Sequence, residues 1–257
     1  MNLPGRVLLD EYRIIRPIAR GAVATVYLAL DTQGRPYAVK LFPEGYSTRA
    51  DREWQVGRAL EHPNVNPVLE RLDVGYHPAV LLAFAPGRRL SERPMHPDGF
   101  LAAFKQLLAA LGHMHARGYV HRDVKPENVI VDERGTARLI DFDLSGPQNE
   151  RIEHLRLGTI AYIAPEQVRG EGVSPATDVY SAGVIFYWGL TGELPYVGSP
   201  EAVLHSHLND PLPHNEGLEQ AAGLERILVR MVAKDPAERY PDAAAVLDAL
   251  EALSEEK

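Results

Sequence analysis

The stretch His121-Arg122-Asp123-Val124-Lys125-Pro126-Glu127-Asn128 decides the reading of this chain. It sets a carboxylate (Asp123), an ammonium donor (Lys125) and a carboxamide (Asn128) close together on one short segment. Phosphoryl transfer needs such a set. One group orients and deprotonates the attacking hydroxyl, one holds the γ-phosphate, and one gives an oxygen ligand to Mg2+. The bland alternative is a polar turn between a helix and a hairpin. Further along stands a second acidic element, Asp141-Phe142-Asp143.

The bulk composition narrows the classes around that stretch. At 257 residues the chain can build one large domain or two small lobes with a sizeable core. A net charge of −8 argues against a general nucleic-acid or anionic-membrane binder, so no nucleic-acid partner is expected. With no cysteine, disulfides, cysteine-ligated zinc and cysteine nucleophiles are excluded. That also fits a reducing cytosol. Met1 to Arg6 lacks the basic and apolar regions of a signal peptide. The richest apolar run, Ser181 to Leu190, is about half the length of a membrane span, so the expected location is cytoplasmic.

Periodicity divides the chain in two. Up to about Phe84 it reads as strand-rich: Arg13–Ile18, Thr25–Leu30, Arg35–Phe42, Val68–Asp73 and Ala79–Phe84 are short β-branched or aromatic runs. Turn signals such as Asp31-Thr32-Gln33-Gly34 separate them, and one helix is expected near Thr48 to Leu60. Ala85-Pro86-Gly87 breaks the pattern and marks a hinge at about 83–88. Beyond it the chain reads mostly helical. Asp98 to Arg117 is amphipathic and ends at Gly118, whereas Ala176–Leu190 is apolar nearly all round and reads as a buried central helix. Helices near Glu201–Leu208, Glu219–Val232 and Asp242–Leu253 complete the reading.

The opening stretch resembles the catalytic loop of protein kinases, H-R-D-x-x-x-x-N. The resemblance runs from about Tyr12 to Leu253 and is nearest to bacterial serine/threonine kinases of the eukaryotic type. It implies an α+β, bilobal fold: an N-terminal five-stranded antiparallel sheet with one helix, and a mainly helical C-terminal lobe, in a single domain over 1–257. By the same resemblance Lys40, in Tyr37-Ala38-Val39-Lys40, reaches the α- and β-phosphates of ATP. Glu53 pairs with it from the helix. Asp123 is the proton acceptor, Lys125 neutralises the γ-phosphate, and Asn128 and Asp141 hold Mg2+ or Mn2+. Gly21, Val26, Ala38, Lys40, Ala83, Ala85 and Ile130 are the implied ATP-binding positions.

Structural landmarks of the family are also matched. Gly158 to Glu166 resembles the segment leading to A-P-E, and implies that Thr159 bonds towards Asp123 and Lys125. Asp178 is expected to hold the catalytic-loop backbone, Arg239 to pair with Glu166, and His121 to pack on Phe142.

Three departures stand out. The phosphate-covering loop, Ala19-Arg20-Gly21-Ala22-Val23-Ala24-Thr25-Val26, keeps only the middle glycine of G-x-G-x-x-G-x-V, so weaker ATP binding is expected. Asp143 replaces the glycine of D-F-G. It could face solvent or cap a turn, add an outer-shell metal ligand, or disfavour the catalytic conformation. Between Asp143 and Thr159 the only hydroxyl is Ser145, so Glu150 or Glu153 is expected to pair with Arg122 where the family has a phosphate, unless the loop is simply solvated.

The function implied is a serine/threonine protein kinase acting on protein substrates, with autophosphorylation among its reactions. A small-molecule phosphotransferase and a pseudokinase scaffold are the alternatives. The former is disfavoured because Lys125 and Gly158–Glu166 are present. The histidine pairs His113/His115 and His205/His207 are two residues apart, which on a helix faces them away from each other, so no metal site is expected there.

Overall fold

The turn at Asp31–Gly34 shows how the first third of the chain is cut into strands. Asp31 accepts from the backbone N–H groups of Gln33 and Arg35 (both 2.8 Å), and Gly34 takes a left-handed φ of 78°. The structure, a computed structural model, describes residues 5–8, 10–150, 157–219 and 222–255, the side chains of 157–159, 219, 222 and 255 excepted.

Strands β1 (Val7–Leu8), β2 (Tyr12–Arg20), β3 (Thr25–Leu30), β4 (Pro36–Leu41), β5 (Val68–Val74) and β6 (His77–Ala83) form one antiparallel sheet in the order β1-β2-β3-β4-β6-β5. The five expected strands are all there. The two-residue β1 adds a sixth at the edge, too short to leave a periodic signal in the sequence. Side chains alternate across β4. Tyr37, Val39 and Leu41 join Ile14, Ala29 and Leu81 on one face. Ala38 and Phe42 join the other, where helix α1 (Ser47–Arg58) packs, and Lys40 lies between them on that side. A one-residue slip of β4 would turn Lys40 away from that face.

The remainder is mainly helical. It comprises β7 (Arg88–Arg89), α2 (Pro97–His115), β8 (Tyr119–Val120), β9 (Val129–Val131), β10 (Ala137–Leu139), β11 (Gly146–Pro147), α3 (Pro165–Val168), α4 (Pro175–Thr191), α5 (Pro200–Asn209), α6 (Glu216–Glu219), α7 (Ala222–Met231) and α8 (Ala243–Glu255). The helix expected near Glu219–Val232 corresponds to α7, with the short α6 ahead of it and residues 220 and 221 outside the described residues. Helix α4 is buried continuously from Ala176 to Tyr187, as its all-round apolar sequence requires. Phe104 of α2 stacks on Phe186 of α4 with centroids 4.6 Å apart. One apolar core joins both halves, from Phe42, Val56 and Val68 through Phe142 to Leu107 and Phe186.

Gly87 sits at the junction of the halves with φ 123°. A Cβ there would lie 2.3 Å from the Val131 carbonyl oxygen, so only glycine lets the chain pass β9 so closely.

Candidate active site

Two buried ionic clusters meet beneath the sheet. The first is built by β4 and α1. Lys40 Nζ is 2.7 Å from Glu53 Oε2 and 2.7 Å from Asp141 Oδ1. Burial alone would lower the Lys40 pKa, but Asp141, Glu53 and Asp143 raise it overall and keep the ammonium charged. Asp141 is driven the other way: burial opposes its charge, yet Lys40 holds its carboxyl well below the usual range. Burial pushes Glu53 up to about 7 against the pull of Lys40.

The second cluster is the loop 121–128. Asp123 is buried, and its Oδ2 accepts from Lys125 Nζ at 2.6 Å and Asn128 Nδ2 at 3.1 Å. Asn128 Nδ2 also donates to the Asp123 carbonyl at 2.8 Å, which leaves its Oδ1 as the oxygen available to a cation. The loop is suspended from α4: Asp178 accepts from His121 N (2.7 Å) and Arg122 N (2.8 Å), and lies 2.9 Å from His115 Nε2. The Asp123 amide donates to His121 Nδ1 at 3.3 Å, so His121 Nε2 carries the proton and donates to the Ile140 carbonyl at 3.2 Å. The imidazole meets Phe142 edge-on, with centroids 5.7 Å apart. Arg122 and Asp141, at φ 71° and 70°, occupy the left-handed region that non-glycine residues rarely enter. Such strain persists only where the surroundings over-determine it.

The other sequence-expected positions fall around these clusters. Val26 pairs with Lys40 across β3 and β4, and Ala38 shares the Lys40 face. Gly21 opens a tight turn in which its N–H donates to the Ala24 carbonyl at 2.9 Å. Neither Gly21 nor Ala19, Ala22 and Ala24 uses the left-handed region, so the turn makes no backbone demand that only glycine meets. Ile130 lies in β9 opposite Arg89. Ala83 and Ala85 lie on the segment leaving β6. The Ala83 carbonyl accepts from Asn66 Nδ2 at 3.0 Å and keeps a second lone pair.

Asp143 does not face solvent. Its side chain is 5% exposed, with Oδ2 3.7 Å from Lys40 Nζ and 3.6 Å from Arg49 Nη1. The residue follows the buried Phe142, and two cations draw the carboxylate inward. Burial, then Asp141, raise its pKa to about 6. Of the two acids expected to face Arg122, Glu150 does so at 2.7 Å. Glu153 and the Thr159 side chain lie outside the described residues. Arg49, Arg52 and Gln167 (whose Nε2 donates to the Arg122 carbonyl at 2.9 Å) were not anticipated. The spacing of Arg49, Arg52 and Glu53 on one helical face was the available signal for the first two. Arg239 grips Glu166 with both Nη atoms at 2.8 and 2.9 Å, as expected.

A bilobed arrangement of this kind, with a lysine–glutamate pair above an Asp–Lys–Asn loop, defines a phosphotransfer fold. Residues 12–249 match the family model for the protein kinase domain, and the chain belongs to that family. Among curated proteins it is 36% identical to the DNA damage-responsive serine/threonine-protein kinase RqkA of Deinococcus radiodurans, over 98% of this chain and 40% of the relative. It is 31% identical to serine/threonine-protein kinase PrkC of Bacillus subtilis, over 94% of this chain and 40% of the relative. It is 32% identical to serine/threonine-protein kinase PknL of Mycobacterium tuberculosis, over 99% of this chain and 68% of the relative. The chain thus spans about two fifths of the length of several kinases it matches. Among the described residues no helix is long and apolar enough to cross a membrane.

Proposed function

We propose that this single kinase domain, with its sheet half to about residue 84, a hinge at 83–88 and a helical half beyond, transfers the γ-phosphate of Mg-ATP to serine or threonine hydroxyls of proteins, its own included. The observation that carries this reading is the buried Asp123 carboxylate held by both Lys125 and Asn128.

Asp123 orients the substrate hydroxyl and takes its proton as the hydroxyl oxygen bonds to the γ-phosphorus. The bond to the β,γ-bridging oxygen breaks, and its electron pair leaves with ADP. Lys125, 2.6 Å from Asp123, is placed to offset charge on the group in transit. Lys40, fixed by Glu53, binds the α- and β-phosphates. The turn at Gly21 covers the phosphates, and Val26, Ala38, Ile130 and the segment Ala83–Ala85 enclose the base.

Asp141 and the Asn128 Oδ1 form the metal-facing oxygen set. Among the described residues no group of three or more acids and histidines converges on a metal. Few protein ligands plus substrate phosphates is the usual mode for Mg2+. Mg2+ or Mn2+ held there would supply positive charge to the β- and γ-phosphates. A cysteine-free, ATP-consuming domain fits the cytoplasm.

The closed Lys40–Glu53 pair and the buried Phe142 favour turnover over a scaffold role. Incubation with radiolabelled ATP and Mg2+ or Mn2+ should label the protein itself or a generic protein substrate. Asp123→Asn should cut the labelling by about 10²–10⁴-fold. Undiminished labelling in that variant, or ATP binding without any transfer in the parent, refutes the reading.

A further inference from the structure

One face of α1 carries three charged residues that reach past the sheet. Arg49, Arg52 and Glu53 are spaced as helical neighbours. Glu53 takes Lys40, Arg49 approaches Asp143, and Arg52 Nη2 donates to Glu150 Oε1 at 2.8 Å. The other oxygen of the same carboxylate, Glu150 Oε2, lies 2.7 Å from Nη2 of Arg122, the residue beside Asp123. A single side chain therefore ties α1 to the catalytic loop.

The local sequence is shaped around that tie. A Cβ on Gly146 would lie 2.6 Å from Arg122 Nη2 and 2.7 Å from Glu150 Oε2. Gly146 is not in the left-handed region, so it is space for the ion pair that requires glycine here. Arg122 also donates to the Pro147 carbonyl at 2.6 Å, and its guanidinium is 1% exposed. Without Glu150 that buried cation would lose its charged partner and face Arg52 across the gap, a repulsion that pushes α1 outward. Ser145, the one hydroxyl between Asp143 and Thr159, is fully buried, and its Oγ donates to the His121 carbonyl at 3.3 Å.

We propose that Glu150 is a positioning residue that holds α1 against the catalytic loop through Arg52 and Arg122, and so keeps the Lys40–Glu53 pair closed with no phosphate on the intervening segment. The inference rests on the phosphotransfer reading above, and its consequence is a kinase whose α1 is locked by charge built into the chain.

The test uses the whole protein, treated with a protein phosphatase and verified phosphate-free by intact mass. The variants are Glu150→Gln, Glu150→Asp, Arg52→Gln, Arg52→Gln/Glu150→Gln and Gly146→Ala, the last of which wedges the pair apart while keeping both charges. The phosphate-free parent should retain full kcat. Glu150→Gln and Arg52→Gln should each lower kcat roughly tenfold, with KM for ATP moving less, and the double variant should be no worse than Glu150→Gln alone. Glu150→Asp should recover part of the loss. Amide hydrogen exchange over residues 47–58 should speed up in Glu150→Gln and Gly146→Ala. Loss of activity on dephosphorylation, or Glu150→Gln with unchanged kcat and unchanged α1 exchange, overturns the inference. If no form transfers phosphate, the kinase reading fails by itself. The exchange data then decide this one: faster exchange supports it and unchanged exchange overturns it.

Discussion

Removing the Arg239 guanidinium should be the most destabilising single change in the helical half. All five of its N–H donors are used. Nε donates to the Ala233 carbonyl (2.7 Å), Nη1 to Glu166 Oε1 (2.8 Å) and the Ala176 carbonyl (2.9 Å), and Nη2 to Glu166 Oε2 (2.9 Å) and the Lys234 carbonyl (3.1 Å). Both partners of the ion pair are buried, at 0% and 2% exposure. Arg239→Met fills similar space but strands the Glu166 charge and removes a donor from each of three carbonyls. One-sided breakage of a buried pair costs about 3–5 kcal/mol, and the loss of the donor to three carbonyls places this case at the upper end. For a domain of this size that corresponds to a fall in Tm of roughly 10 °C or more. Urea unfolding followed by circular dichroism gives the difference directly. Arg239→Met/Glu166→Gln should be less destabilised than Arg239→Met, because the buried charge is gone. Arg239→Lys should fall in between, since an ammonium cannot form the two-pronged contact. A loss below about 1 kcal/mol in Arg239→Met, or a double variant worse than the single one, would refute the reasoning.

Acid stability should depend on His207, which is fully buried with Nδ1 2.9 Å from the Tyr180 hydroxyl. Burial first, and Lys234 second, lower its pKa to about 4. The unfolded chain therefore binds the extra proton more readily, and stability is lost as pH falls from about 6.5 towards 4, by no more than about 3 kcal/mol. Denaturant midpoints across that range should slope for the parent and flatten for His207→Gln. At the hinge, Gly87→Ala forces a left-handed residue and a Cβ 2.3 Å from the Val131 oxygen, and should cost about 1–3 kcal/mol by the same unfolding assay. An unchanged midpoint would show that β9 yields freely there.

Much of this site was legible because its chemistry is carried by short, local spacings. Asp123, Lys125 and Asn128 lie within six residues, so any fold of that loop brings them close. Lys40 and Glu53, whose side chains the structure puts 2.7 Å apart, were legible only through their resemblance to the family pattern. Asp143 was not, because the sequence offers a carboxylate with no indication of its surroundings. Its inward position comes from Lys40 and Arg49, far away in the chain. Arg52 was missed for the same reason: its partner Glu150 stands 98 positions away. The left-handed backbone at Arg122 and Asp141 has no sequence signature either, since neither is glycine.

Sequence alone carried the motifs by which the chain resembles its family, and the change from strand-rich to helical periodicity near Phe84, because motif spacings and strand and helix periods are local properties of the chain. Tertiary structure decided the electrostatic state of those groups: which carboxylate Lys40 shares, that Asp143 is buried, and that Glu150 bridges Arg52 and Arg122. Charge interactions depend on distance and on exclusion of water, and only the packing of α1 and the catalytic loop fixes both.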